Sequence, residues 1–443
     1  MDTGDTAWVL TSAALVLLMT PGLALFYGGM VRAKSVLNMM MMSFGALAVI
    51  GVLWVVYGYS IAFGNDVGGG LLGDPSEFFG LQGLMSDKAL VFTIPALAFV
   101  GFQAVFAIIT VALISGAIAD RARFGPWLLF AGIWATVVYF PVAHWVFSFD
   151  GGTAPVGGWI ANKLAAIDFA GGTAVHINAG AAGLALAIVL GKRVGWRRDP
   201  MRPHNLPLVM IGAGLLWFGW FGFNAGSALG ANSVAAVAWI NTLAATAAAT
   251  LGWLLVEKRR DGHPTSLGAA SGVVAGLVAI TPACSAVSPM GALLVGFGAG
   301  ILCALAVGLK YRFGIDDSLD VVGVHLVGGL FGTIVIGLLA TSSAPAGVDG
   351  LLYGGGFDQL WRQTVGALAV LLYSFVLTLI IGTAISKTIG FRIQDEDEVA
   401  GIDFTEHSET AYDFVARAGG AGVLGGKPSA TVRVDAEARG ANA

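Results

Sequence analysis

Along this chain the hydrophobic positions do not alternate with polar ones; they run together in long blocks separated by short polar loops. A helix that crosses the hydrocarbon core of a membrane needs about 20 mainly apolar residues. Runs of that length fall near 8 to 31, 36 to 63, 93 to 118, 127 to 149 and 169 to 190. A second series follows near 206 to 229, 233 to 256, 266 to 286, 290 to 309 and 321 to 341, with one more near 364 to 388. The pattern predicts an all-α polytopic membrane protein with eleven transmembrane helices.

Basic residues then orient the spans, because Lys and Arg near span ends stay on the cytoplasmic side. One set of alternate loops holds Arg32 and Lys34; Arg121 and Arg123; Lys192, Arg193, Arg197, Arg198 and Arg202; Lys258, Arg259 and Arg260; Lys310 and Arg312; Lys387 and Arg392. The other set holds only Lys88, Lys163 and Arg362. This bias places the N-terminus outside and the C-terminus in the cytoplasm. The start, Met1-Asp2-Thr3-Gly4-Asp5, is acidic where a cleavable signal peptide needs positive charge. The first run is therefore expected to remain as a span.

Composition narrows the function classes. The 443 residues are 56% hydrophobic and only 11% charged, against roughly 25% charged in soluble domains, and the mean hydropathy is +0.81. A net charge of −4 offers no basic face for nucleic acid. Cys284 and Cys303 lie in apolar runs and form neither a disulfide framework nor a metal-ligand spacing, so neither metal nor cofactor is expected. An intramembrane hydrolase would need a nucleophile and base at helical spacing, and none stands out. Glycine pairs at 272 and 276, 296 and 300, and 328 and 332 have the small-residue spacing of closely packed membrane helices. After Phe391 the chain turns acidic, through Asp395-Glu396-Asp397-Glu398, and from about Ala418 it is rich in glycine and alanine. A membrane domain over 1–390 and a cytoplasmic regulatory tail over 391–443, its distal part disordered, are the expected organisation.

Ionisable groups inside spans are costly, which makes each a candidate for function. Asp168 precedes His176 at the start of the fifth run, and Asp320 precedes His325 at the start of the tenth. Spans an odd number apart enter the membrane from opposite faces, so the two pairs suggest an inverted repeat with its site at the midplane. The halves would cover about 8–190 and 206–341, with helix eleven outside them. The eight residues from Asp168 to His176 cover about 12 Å of helix, putting His176 near mid-membrane and within reach of His325. A single histidine in such a place often serves only helix packing, and an aspartate at a helix start is often a cap; symmetric placement favours function for the histidines. Aromatic residues form a second constellation: Phe102-Gln103-Ala104-Val105-Phe106, and Trp217 to Phe223 with Ser227 one turn beyond. Most such rings pack against neighbours or lipid, yet aromatic faces hold a small cation by about 2 kcal/mol when desolvated.

At these residues the sequence resembles a family. Asp168-Phe169-Ala170-Gly171-Gly172-Thr173-Ala174-Val175-His176-Ile177-Asn178, Gly219-Trp220-Phe221-Gly222-Phe223-Asn224-Ala225-Gly226-Ser227 and Asp316-Asp317-Ser318-Leu319-Asp320-Val321-Val322-Gly323-Val324-His325 closely resemble the Amt/Mep/Rh ammonium transporters, in particular the bacterial Amt branch, over roughly residues 8 to 415. The resemblance implies a homotrimer of eleven-helix subunits in the cytoplasmic (inner) membrane, each with its own pore for ammonium or ammonia. It implies an outer ammonium site from Phe106, Ser227 and an aromatic near position 147, a stacked gate of Phe106 and Phe223, and a hydrogen-bonded pore pair of His176 and His325. Trp220 would line the lower pore. Asp168 would stabilise the recruitment site without touching the ion, and Asp320 would be its counterpart in the other half. One departure is visible: His144-Trp145-Val146 is followed by Phe147 where the family usually has Trp, so the outer site is expected to be weaker or to use Trp145. The stretch around Gly401-Ile402-Asp403 and His407 to Tyr412 resembles the family's cytoplasmic tail, which makes a PII-type signalling protein a plausible partner. An ammonium sensor acting through such a partner is the alternative reading.

Overall fold

In a bilayer every backbone N–H and C=O must be satisfied within the protein, and long apolar blocks accordingly become helices. The structure, a computed structural model, describes residues 1–199 and 201–412. Ten helices among the described residues are long and apolar enough to cross a membrane: α1 (Thr3–Met30), α2 (Val36–Phe63), α3 (Ala96–Ile118), α4 (Phe124–Phe147), α5 (Gly172–Leu190), α6 (Leu206–Gly226), α7 (Ser233–Arg260), α9 (Pro289–Phe313), α10 (Val322–Leu339) and α11 (Asp358–Thr388). Between α7 and α9 lies α8, Ser266–Ile280, which is shorter because the apolar run continues past Thr281 and Pro282 as turns. Before α3 a small hairpin pairs β1 (Leu90–Val91) with β2 (Ile94–Pro95). Two short helices follow α11: α12 (Asp395–Ala400) and α13 (Ile402–His407). The distal tail expected to be disordered lies outside the described residues from 413 onward.

The outside of the bundle is apolar. On α11, Leu368, Leu372, Val376 and Ile380 repeat every four residues and are 48–59% exposed, a stripe that in water would be an unprotected hydrophobic patch and in lipid is satisfied. Inside, α1 packs along α6, α7 lies against both α8 and α9, and α5 against α11. Small residues allow this closeness, since a methyl added at Gly296 or Gly300 of α9 would collide with the carbonyls of Ala245 or Ala249 on α7.

The start of α5 and the start of α10 are built alike. Residues Gly172–Ile177 and Val322–Leu326 are wide π-helical turns, each ending around its histidine, a conformation often found at functional sites. Asp168 caps the first turn, accepting from the backbone N–H of Gly171 at 2.8 Å, Gly172 at 2.6 Å, Thr173 at 2.8 Å and Ala174 at 3.2 Å, and from the Thr173 hydroxyl. In the second turn that place belongs to Asp317, not Asp320. Asp317 accepts from Val321 N–H at 3.1 Å and Val322 N–H at 2.8 Å, and it stands eight residues before His325 as Asp168 stands eight before His176. Asp320 has a left-handed backbone (φ +63) that turns its side chain away to pair with Lys310 at 2.7 Å. Burial first, and then the charge of Asp320, push the Asp317 carboxyl up to about 6.

Four residues past each histidine is a glycine. A methyl at Gly180 would overlap the backbone nitrogen of Leu326, and one at Gly329 would stand 3.1 Å from both the Gly172 carbonyl and the His176 Cβ. The two turns cross backbone to backbone. On the face where the tail folds back, its carboxylates fill helix starts: Asp403 accepts from the N–H of Leu37 at 3.0 Å and Asn38 at 2.8 Å, and Glu406 from that of Phe124 at 2.9 Å.

Two outcomes follow for stability. Gly180→Val should lower the melting temperature of the solubilised protein by several degrees, a clash worth about 1–3 kcal/mol, whereas Gly51→Ala, with no atom within 4 Å of the added carbon, should leave it unchanged. Asp317→Ala strands two buried N–H groups at about 1–3 kcal/mol each and should be strongly destabilising in the same measurement. Asp317→Asn, which keeps one of the two acceptors, should cost less than Asp317→Ala.

Candidate functional site

A line of rings runs from an open cavity into the middle of the bundle. The cavity, about 670 Å³, is lined among others by Asp168, Ser227, Phe92, Phe149 and Phe169. Next to it, joined through the Ser227 hydroxyl on the Phe223 carbonyl, the rings of Phe106 on α3 and Phe223 on α6 stack with centroids 4.1 Å apart and planes 19° from parallel. Phe147, at the end of α4, is 5% exposed and stands edge-on to Phe106 at 6.4 Å. Phe149, two residues further and 44% exposed, reaches the cavity instead. Trp145 does not take over the expected role of Phe147: its indole donates to the Leu71 carbonyl at 2.9 Å and its ring packs on Tyr373 at 4.6 Å.

The hydroxyl of Ser227 donates its proton to the Phe223 carbonyl at 2.8 Å. Having no second proton, it presents only lone pairs to the cavity. The cavity wall therefore offers an acceptor and several aromatic rings, the combination that suits a small hydrogen-bonding cation.

Below the gate His176 continues the line. Its ring stacks on Phe223 at 6.1 Å and on Trp220 at 5.4 Å, and Nδ1 lies 3.3 Å from Nδ1 of His325. Both histidines are nearly inaccessible, at 1% and 3% exposure. A contact between two Nδ1 atoms requires one donor and one acceptor, so one ring carries its proton on Nδ1 and the other on Nε2. The two Nε2 atoms then differ, one a bare lone pair and one an N–H. Trp220 is held by its indole N–H to the Thr281 hydroxyl at 2.8 Å. The space among Phe26, Trp220, Phe223, Val274 and the two histidines is about 10 Å³, at most the room of one water. The lining is otherwise hydrocarbon.

The structure thus brings Phe106, Phe223, His176, His325 and Trp220 into one continuous column, with Asp168 and Ser227 at the open cavity. Phe147 touches the column from the side. Asp320 lies beside Lys310 rather than in it. Sequence reading missed Phe92, whose left-handed backbone (φ +53) at the hairpin tip turns an exposed ring toward the cavity, and Phe149. A phenylalanine two positions past the expected one was the available signal for Phe149; nothing local announces Phe92.

Known proteins carry the same organisation. A sequence profile described as Ammonium Transporter Family matches residues 7–412. The ammonium transporter of Mycobacterium tuberculosis (strain H37Rv) is 64% identical over 439 residues, covering 94% of this chain and 92% of the relative. The ammonium transporter of Bacillus subtilis is 48% identical over 417 residues, covering 93% of this chain and 99% of the relative. Among solved structures, Mep2 of Saccharomyces cerevisiae superposes with a TM-score of 0.82 at 34% identity, covering 89% of this chain and 88% of that one. With a profile spanning nearly all of its described length and relatives this similar, the chain belongs to the ammonium transporter family, a family of membrane transporters and not of enzymes.

Proposed function

We propose that the protein recruits ammonium at the outer cavity, strips it of a proton at the Phe106–Phe223 gate, and conducts ammonia past His176 and His325, which relay or return the proton. The observation that carries this reading is the stacked gate directly above two imidazoles 3.3 Å apart in a space too small for a hydrated ion. Ammonium and potassium share charge and nearly share size, so matching charge and radius separates them poorly. Only ammonium can leave its charge behind. A charge at the bilayer centre costs several kcal/mol even on lenient scales, and a dry column makes that cost fall on potassium alone.

In the same reading Phe106, Phe147, Ser227 and the cavity's further rings hold the ion, Asp168 shapes the site through the turn it caps, and Trp220 walls the lower passage. The ten long helices and the shorter α8 make eleven spans in two inverted halves, with α11 outside them, the N-terminus outside and the tail in the cytoplasm. The bias of basic loops and the matched Asp-turn-His-Gly construction of α5 and α10 support that arrangement. A homotrimer in the cytoplasmic membrane, with a PII-type protein at the face where α12 and α13 lie, completes the proposal. The sensor alternative finds less support, because the relatives are named transporters and the ring column suits passage.

Replacing His176 and His325 together by leucine should raise potassium permeation relative to ammonium in current recordings on reconstituted membranes; unchanged selectivity would refute the relay. Phe147→Leu should raise the apparent KM for ammonium about three- to tenfold and Phe147→Trp should lower it, the size of an aromatic cation contact. Transport by proteoliposomes over a concentration series reads both.

A further inference from the structure

His144 lies one turn before Phe147 on α4, fully buried, and no part of the column uses it. Its Nδ1 is 3.0 Å from the carbonyl oxygen of Ala62 at the end of α2. A carbonyl only accepts, so Nδ1 carries the proton. Its Nε2 then faces a carboxylate oxygen of Asp66 at 3.4 Å, with no hydrogen-bond partner of its own. With Nε2 bare, two lone-pair atoms face each other in a dry place; with Nε2 protonated, the contact is an ion pair. One proton reverses its sign.

Asp66 anchors the loop of residues 64–74, which forms the outer rim around α4. Its N–H donates to the Val156 carbonyl at 2.9 Å, Trp145 donates to Leu71, the Trp159 N–H donates to the Gly70 carbonyl at 3.0 Å, and Lys163 donates to that of Gly69 at 2.7 Å. The other charged groups at this rim are engaged elsewhere: Glu77 accepts from the Asn65 N–H, Asp74 from Ser76, Asp150 from the Gly157 N–H. Asp66 is thus the ion-pair partner of His144 among the described residues. Burial raises the Asp66 carboxyl, but the N–H groups of Gly70, Gly68 and Leu72 outweigh it and hold it below its ordinary value. Asp66 stays ionised, and His144 is the group that changes.

We propose that His144 and Asp66 form a proton-dependent clasp that seats the 64–74 loop on α4 and so sets the position of Phe147 at the outer site. His144 is a positioning residue; it touches no ion. With the imidazole protonated the clasp is closed, and once it gives up that proton the loop loosens. The consequence for transport rests on the outer-site reading given under the proposed function, while the clasp itself does not.

Hydrogen–deuterium exchange of the full-length wild-type protein tests the clasp alone. Corrected for the intrinsic pH effect, exchange in residues 64–74 should rise about fivefold between roughly pH 4 and pH 8, and an exchange rate that ignores pH overturns the proposal. Proteoliposome transport tests its consequence: the apparent KM for ammonium should rise over the same interval in wild type with kcat unmoved, and His144→Gln and Asp66→Asn should each flatten that rise, the double variant behaving like either single one. Where Phe147→Leu does raise KM, a wild-type KM that does not change with pH, or one whose pH dependence survives in the folded variants, overturns the link from clasp to Phe147. If Phe147→Leu leaves KM untouched, the outer-site reading fails, and the exchange result still judges the clasp.

Discussion

The close crossing of two short helical turns governs the rest of this structure. His176 and His325 meet at 3.3 Å only because the backbones of Gly172–Ile177 and Val322–Leu326 approach each other where Gly180 and Gly329 leave no side chain between them. The wide π-helical geometry of each turn leaves backbone groups that its own helix cannot satisfy, and a buried aspartate supplies the acceptors: Asp168 in one half, Asp317 in the other. Caps, turns and glycines thus form one unit made twice. Once it is assembled, side chains from α1, α3 and α6 close around it and leave a space of about 10 Å³ beside the two histidines.

Charge is excluded from this centre and gathered at the ends of the spans, where it is cancelled pair by pair. Arg193 holds Asp316 at 2.8 Å and Asp120 at 3.1 Å, and although burial works against its charge, these two carboxylates keep its guanidinium protonated more firmly than usual. Arg392 pairs with Glu398 of the tail at 2.9 Å, and Arg32 reaches the same carboxylate at 3.6 Å. Some of the basic residues that bias the orientation of the spans therefore also bind the tail. A buried pair of this kind adds little net stability, because desolvation offsets attraction, but losing one partner leaves a stranded charge. The tail is accordingly fixed in register on the loops between spans rather than merely attracted to them.

How much of this was legible in the sequence differs by the range of the interaction. Apolar runs announce helices because the bilayer fixes their length, and the run near 266 to 286 overstates its helix, Ser266–Ile280, because Pro282 and its apolar neighbours continue the run as turns. The paired histidines and the aromatic pair are legible as rare residues in long motifs. Asp320, expected as the counterpart of Asp168, is not the cap; the signal for Asp317 is the equal eight-residue spacing of Asp168 and Asp317 to their histidines. Contacts between distant segments left no local mark: Phe92 at a hairpin tip, Trp145 tied to Leu71, His144 facing Asp66.

On the proposed reading, the open cavity and the dry centre divide the work of selectivity between them. Ser227, its only hydroxyl proton committed to the Phe223 carbonyl, offers lone pairs that a potassium ion could use as well as ammonium, and aromatic faces attract either cation. Capture at the cavity is therefore a poor discriminator, and a stronger outer site would retain both ions equally. In the proposed mechanism discrimination arises at the histidines, where the space is too narrow for a hydrated ion and the two Nε2 atoms offer one donor and one acceptor in hydrocarbon. A neutral molecule that both donates and accepts hydrogen bonds finds partners there; a bare cation finds one lone pair and no water. On that proposal a ring with less hold on cations, such as Phe147 in place of a tryptophan, costs affinity without costing selectivity.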